Sequence, residues 1–230
     1  MTKEEPPPPL FLCLFRAHSF TLHFARTLPQ KMRLNTGWVA KQFASGAALG
    51  PVLDNFHSVY SVLEYDRYSV AALIETSLWT PPLFGVAAVT IGGLALALDK
   101  TSPREEDVLP AIFVFIMIYW LSGILSPHLE PAPLGVVLWS LAASSTLYFD
   151  RSTATLFTAF ATALAGPALE LFLTSDGLAP FGFGNLYHYC HPDFFSVCSW
   201  IPAVYFAGAA PVAMLGRYFY RDDPFILKAE

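Results

Sequence analysis

Long apolar runs, separated by short polar or proline- and glycine-rich segments, dominate this chain. Five of them stand out: Leu78–Leu98, Val108–Ile124, Leu134–Phe149, Ala154–Leu173 and Ser196–Leu215. A helix needs roughly 20 apolar residues to cross about 30 Å of hydrocarbon, and each run qualifies or nearly does. A sixth run, Phe43–Leu63, is interrupted by Asp54, Asn55 and His57 and still reads as a span. Prolines punctuate the pattern. Pro81 and Pro82 fall in the first turn of the second span, where a missing amide donor is tolerated. Pro167 and Pro211 lie inside spans and are expected to kink them or open a carbonyl to a neighbour. The segments Ser126–Pro133 and Thr174–Phe194 read as loops. Small residues recur within the spans, with a Gly-x-x-x-Gly at Gly46–Gly50 and a looser small pair at Ala88–Gly92. Such positions let membrane helices approach closely, since lipid gives no hydrophobic drive for their association.

Charge sets the orientation. With six spans, the tails and the even-numbered loops share one side. That side holds Lys3, Arg16, Arg26, Lys31, Arg33, Lys41, Lys100, Arg104, Arg151, Arg217, Arg221 and Lys228, and the other side holds only Arg67. Short loops rich in Lys and Arg stay cytosolic. The expectation is an all-α membrane protein, a bundle of six transmembrane helices with both termini cytosolic. Residues 43–217 form the bundle and 218–230 a cytosolic C-terminal tail. Residues 1–42 read as a disordered cytosolic tail or a targeting segment. Pro6–Pro9 suggests a short polyproline stretch, and the lack of acids between Glu5 and Asp54 is the pattern of an organelle transit peptide.

Composition agrees and excludes much else. The chain is 54% hydrophobic and only 13% charged, with a mean hydropathy of +0.47, whereas soluble domains carry about 25% charged residues. Three cysteines, Cys13, Cys190 and Cys198, are too few and scattered for a disulfide framework; one Cys190–Cys198 bridge is conceivable, two thiols simpler. No nucleotide loop, nucleophile elbow or His-Glu-x-x-His helix occurs, and no basic patch for nucleic acid.

A few polar groups could carry chemistry. Ionisable residues within spans are costly and draw attention. Asp54 and His57 share one helix face, as a proton relay, a ligand-contacting pair, or groups that satisfy each other. Glu170, near the end of its span, is expected to reach the headgroups. The run Tyr187-His188-Tyr189-Cys190-His191-Pro192-Asp193 holds metal-ligand residue types, but zinc sites want two such halves and an interfacial aromatic belt explains it better. Asp150 precedes the fifth span, where a carboxylate caps free amides or offers a charged contact to another membrane protein. The bundle interior offers Phe115, Trp120, Leu138, Trp139 and Phe206 as lipid-contacting candidates. No catalytic residue, metal site or cofactor emerges.

Several of these motifs together carry a resemblance. Pro192-Asp193-Phe194, Ser199-Trp200-Ile201-Pro202, Phe206-Ala207-Gly208 and Gly216-Arg217 resemble the last span of the Insig (insulin-induced gene) family. Phe149-Asp150-Arg151-Ser152 looks like the family's turn between its fourth and fifth helices, and Trp79-Thr80-Pro81-Pro82 with Gly85 and Asp99 like its second helix. The matches keep their order over roughly Ser77–Arg217. The resemblance implies a six-helix bundle with cytosolic termini in the endoplasmic reticulum membrane, with a plastid membrane as the alternative left by the N-terminal segment. It implies a non-enzymatic regulator of sterol or lipid synthesis. Such a protein binds an oxysterol and retains a partner, either a sterol-sensing membrane protein or the sterol-pathway reductase. By similarity Asp150, with Arg151, is the partner contact. The chain departs from the animal pattern at Pro133, which aligns with a sterol-contacting glutamine, and at Cys198 and Met214. Another lipid, such as a diacylglycerol, therefore remains a candidate ligand. The rival readings are a lipid-modifying membrane enzyme using Asp54 with His57 or the His188–His191 loop, and a small transporter with Asp54, His57, Pro167 and Pro211 along its path.

Overall fold

The computed structural model describes residues 36–65, 75–174 and 186–221. The first 35 residues, Arg67, much of the connection after Thr174 and the last nine residues lie outside the described residues. Six long helices follow one another: α1 (Thr36–Val59), α2 (Thr80–Leu98), α3 (Glu105–Leu125), α4 (Pro131–Phe149), α5 (Thr153–Thr174) and α6 (Ile201–Arg221). Two short strands, β1 (Leu63–Glu64) and β2 (His188–Tyr189), pair antiparallel, with Leu63 opposite Tyr189 and Glu64 opposite His188.

Local chemistry explains most of the boundaries. Prolines occupy the first turn of α2 and of α4, where no intrahelical donor is lost. Glu105, Glu106 and Asp107 open α3, placing carboxylates at the positive helix end. At its far end α1 turns through Ser61, at φ 53°, while the Val62 amide returns to the His57 carbonyl at 2.8 Å. That turn folds β1 back across the end of the bundle. Helices α5 and α6 run on through Pro167 and Pro211.

Helices α2, α3, α4 and α5 are long and apolar enough to cross a membrane, and they carry exposed Leu98, Leu109, Phe113, Val136, Phe157 and Leu164 outward. Large apolar side chains exposed in such number on four helices suit a non-aqueous neighbour. The other two helices differ for a physical reason. Helix α6 packs against all five other long helices and is small-residue-rich and buried along most of its length, down to Arg217. Protein, not lipid, surrounds it, so its sequence need not be as apolar. It begins at Ile201 and ends at Arg221, shifted toward the C-terminus from the expected Ser196–Leu215. Helix α1 starts at Thr36, ahead of the expected Phe43, because Trp38 and Gln42 are fully buried. The Trp38 indole donates to the Gly216 carbonyl at 2.7 Å. The Gln42 amide donates to the carbonyls of Ala88 at 3.1 Å and Val212 at 3.0 Å, tying α1 to α2 and α6.

Close helix contacts rest on glycine. A Cβ at Gly46 would meet the Phe84 carbonyl and Ala88 Cβ, and one at Gly216 would lie 3.0 Å from Gly92 Cα. The small-residue pairs seen in the sequence thus sit at the α1–α2 and α2–α6 crossings.

Candidate functional site

A cavity of about 130 Å³ lies between α1, α2, α3, α5 and α6. Leu49, Leu53, Leu83, Ile91, Phe115 and Val204 make much of its wall, and Leu169, 45% exposed, sits at its edge. One end is different. There two carboxylates, Asp54 of α1 and Glu170 of α5, line the cavity together with Tyr65, Trp79, Tyr187 and Tyr205. The β1–β2 ladder brings Tyr65 and Tyr187 to this end, where Tyr65, Trp79 and Tyr187 form a ring cluster with centroids 5.6–5.8 Å apart.

Each acid has its own partners. Asp54 accepts from the Tyr65 hydroxyl and, at 3.2 Å, from Thr76. Glu170 accepts from Tyr189 on one oxygen and Tyr205 on the other. Its expected reach to the headgroups is therefore corrected: two tyrosine hydroxyls draw the side chain into the cavity. Asp54 and His57 do not satisfy each other either. His57 stacks on Tyr119 with ring centroids 4.2 Å apart, and its Nε2 lies 2.8 Å from Ser122 Oγ. The single Ser122 proton goes to the Tyr119 carbonyl at 2.6 Å, so Ser122 accepts from Nε2–H. His57 Nδ1 is then a buried acceptor with no partner among the described residues. His57 is 1% exposed and locked into the packing of α3, which gives a relay through it no continuation toward Asp54.

The opposite end of the bundle holds a second polar cluster. Asp150, at the turn from α4 to α5, accepts from the Ser152 amide at 3.1 Å and the Thr155 hydroxyl at 2.6 Å. The helix amide of Thr155 goes instead to Ser152 Oγ at 3.2 Å, so Ser152 caps α5 and Asp150 braces the turn before it. Asp150 also accepts from the guanidinium of Arg217, which is 2% exposed. Arg217 donates further to Thr155 at 3.1 Å and lies 3.9 Å from an Asp99 oxygen. Burial alone would raise the Asp150 carboxyl; the Thr155 hydroxyl and the Arg217 charge outweigh it and hold the group below its ordinary value. Arg151 is exposed.

Of the lipid-contacting candidates, Phe115 lines the cavity, where its ring covers Gly208. Trp120 is half-buried on α3 away from the cavity wall, and Leu138 is fully enclosed between helices. Trp139, 37% exposed, packs on Phe206 with centroids 5.3 Å apart, and Phe206 packs in turn on Phe160 at 5.0 Å. The structure thus brings Trp139 and Phe206 together on the α4–α5–α6 side, separate from the cavity. The His188–His191 loop is held by the ladder, with His188 Nε2 3.5 Å from Glu64 and the Cys190 amide on the Val62 carbonyl. Cys190 and Cys198 are both thiols. Sequence reasoning missed the meeting of Asp54 with Glu170. The available signal was that Glu170 is the one acid within α5.

No family model matches the chain. Among characterised proteins it is 28% identical to the insulin-induced gene 1 protein of Gallus gallus over 189 residues, which cover 79% of this chain and 71% of that protein. It is 27% identical to the insulin-induced gene 1 protein of Homo sapiens, over 79% of this chain and 65% of the human one. Among solved structures, the mycobacterial Insig homolog MvINS from Mycobacterium vanbaalenii superimposes with a TM-score of 0.71 at 22% identity, covering 84% of this chain and 99% of that one. A cross-linked trimer of MvINS matches equally well. The resemblance to the Insig family therefore extends over most of the chain, in sequence to the insulin-induced gene 1 proteins and in fold to MvINS.

Proposed function

We propose, taking this Insig-like likeness as premise, that the protein is a lipid-responsive regulator of sterol or lipid synthesis in the endoplasmic reticulum membrane. It acts by binding rather than by turnover. All six long helices cross the bilayer, with both termini and the Asp150–Arg217 end on the cytosolic side. The basic residues support this orientation, since Lys41 and Lys100 lie over the rings of Phe219 and Tyr220 and Arg221 pairs with Glu105, all at one end of the bundle.

One observation carries the reading: an apolar cavity inside the bundle with a polar end, the form of a site for an amphipathic lipid. A ligand there touches five of the six helices, so it favours whichever arrangement of them fits it. It biases partner binding by its differential affinity for two such arrangements. The partner, a sterol-sensing membrane protein or the sterol-pathway reductase, docks at the α4–α5 turn. Asp150 shapes that turn from within, and Arg151 presents the charge.

The test is photo-crosslinking of the purified protein with a clickable sterol probe, in competition with a 25-hydroxysterol and separately with a diacylglycerol, followed by mapping of the labelled peptide. Competed labelling at cavity residues such as Leu49 or Phe115 supports the reading. Labelling that neither lipid competes, or that falls only around Trp139, removes the cavity from it.

A further inference from the structure

The acidic end of the cavity has unanswered hydrogen-bonding capacity. Trp79 lines it, and its indole N–H is buried with no acceptor among the described residues. Tyr187, 5% exposed, also lines it and makes ring contacts with Tyr65, Trp79 and Tyr189. No described residue accepts from or donates to its hydroxyl. Beside these stand Asp54 and Glu170, and no lysine or arginine among the described residues pairs with either. Both Glu170 oxygens face tyrosine hydroxyls, the arrangement in which an ionised carboxylate accepts on each side. Two enclosed carboxyl groups without a basic partner take up either protons or a counter-charge; a cation between them supplies the second, and aromatic rings such as those of Tyr65, Trp79 and Tyr187 attract cations.

We infer that this end of the cavity binds the head of a single-chain amino-alcohol lipid, with the ammonium between Asp54 and Glu170 and a hydroxyl oxygen accepting from the Trp79 indole. A bare metal ion fits less well, because it brings no acceptor to the orphan N–H and leaves the apolar wall of Leu49, Leu53, Leu83 and Ile91 uncovered. A neutral diol answers Trp79 and Tyr187 but brings no counter-charge to the two carboxyl groups. An amine with a hydroxyl and an acyl-length tail satisfies all three demands. The assignment rests on the cavity being a lipid site, and it names which class of lipid enters by this end.

Binding of sphinganine, 1-monooleoylglycerol, octadecylamine and a 25-hydroxysterol to the full chain in nanodiscs, followed by thermal shift and by competition, tests it. Sphinganine should bind at least about tenfold tighter than monooleoylglycerol, the loss expected for one charge-assisted hydrogen bond. Glu170→Gln should erase that preference. Trp79→Phe removes the N–H and leaves a smaller aromatic face. It should weaken sphinganine several-fold more than octadecylamine, a difference that a folding defect would not produce. If monooleoylglycerol or the hydroxysterol binds as tightly as sphinganine, the amino-alcohol assignment is overturned and the lipid cavity stands. If none of the four binds, both fall.

Discussion

Arg217 is a buried cation, 2% exposed on the central helix, shared between two acids, Asp150 and Asp99, and the Thr155 hydroxyl. Removing one member of a buried ion pair costs more than the pair contributes, because the other charge is left stranded. Asp150→Ala is therefore expected to destabilise the bundle by about 3 kcal/mol, the lower end for such pairs because Asp99 remains, measured as thermal unfolding in detergent. Arg151→Glu, on an exposed side chain, should leave stability unchanged and reduce partner co-purification. Equal loss of stability in the two variants would contradict the division of roles drawn at this turn. The depressed Asp150 carboxyl also has a pH consequence. Its contribution is fully present above the ordinary carboxylate value and is lost as pH falls through its lowered folded-state value. Acid titration of stability should thus be flatter in Asp150→Asn than in the parent protein.

At the scale of the elements, the bundle depends on three backbones coming unusually close. Helix α1 meets α2 at Gly46, and α2 meets α6 where Gly216 faces Gly92. A Cβ at Gly216 would lie 3.0 Å from Gly92 Cα, against backbone that cannot rotate away. Gly216→Leu is expected to cost about 1–3 kcal/mol or more through overpacking, read as a lowered unfolding temperature. Gly135→Ala is the contrasting case, since its new methyl would meet only Trp200 Cβ at 3.8 Å. It should be neutral or raise stability by about 0.5–1 kcal/mol, the helical advantage of alanine over glycine. The Gly46–Gly50 and Ala88–Gly92 pairs were legible as spacings, and their partners were not. A small residue announces a close approach without saying what approaches.

For the whole molecule, two polar clusters sit at opposite ends of one apolar bundle, the carboxylates and tyrosines at the ladder end and Arg217 with its acids at the other. The proposed topology puts the first in the lumen and the second in the cytosol. With Cys13, Cys190 and Cys198 replaced by serine, single cysteines at Lys100 and Glu64, both exposed, report it. A membrane-impermeant maleimide added to sealed, right-side-out microsomes should label Lys100→Cys and spare Glu64→Cys. The reverse pattern inverts the protein, and labelling of both would mean that fewer than six helices cross.

The apolar runs by themselves determined four helices, α2 to α5, to within a few residues, because crossing hydrocarbon is a demand on local length and composition that each segment meets alone. They were less informative about α6, which other helices enclose along most of its length, and about α1, whose buried face carries Gln42, Asp54 and His57: a helix can hold such groups, or Arg217, if partners await them. Which groups meet was decided by tertiary structure alone. Asp54 and Glu170 are about half the chain apart and share one cavity only because α1 and α5 are rotated toward it and tyrosines in and beside the ladder and on α6 hold both acids there. Asp150 could be placed at the turn before a helix from the sequence, since helix starts are local, although the helix amide itself goes to Ser152. The bond of Asp150 to Arg217 could not be read there, since nothing in residues 150 to 217 specifies how the last helix turns its face.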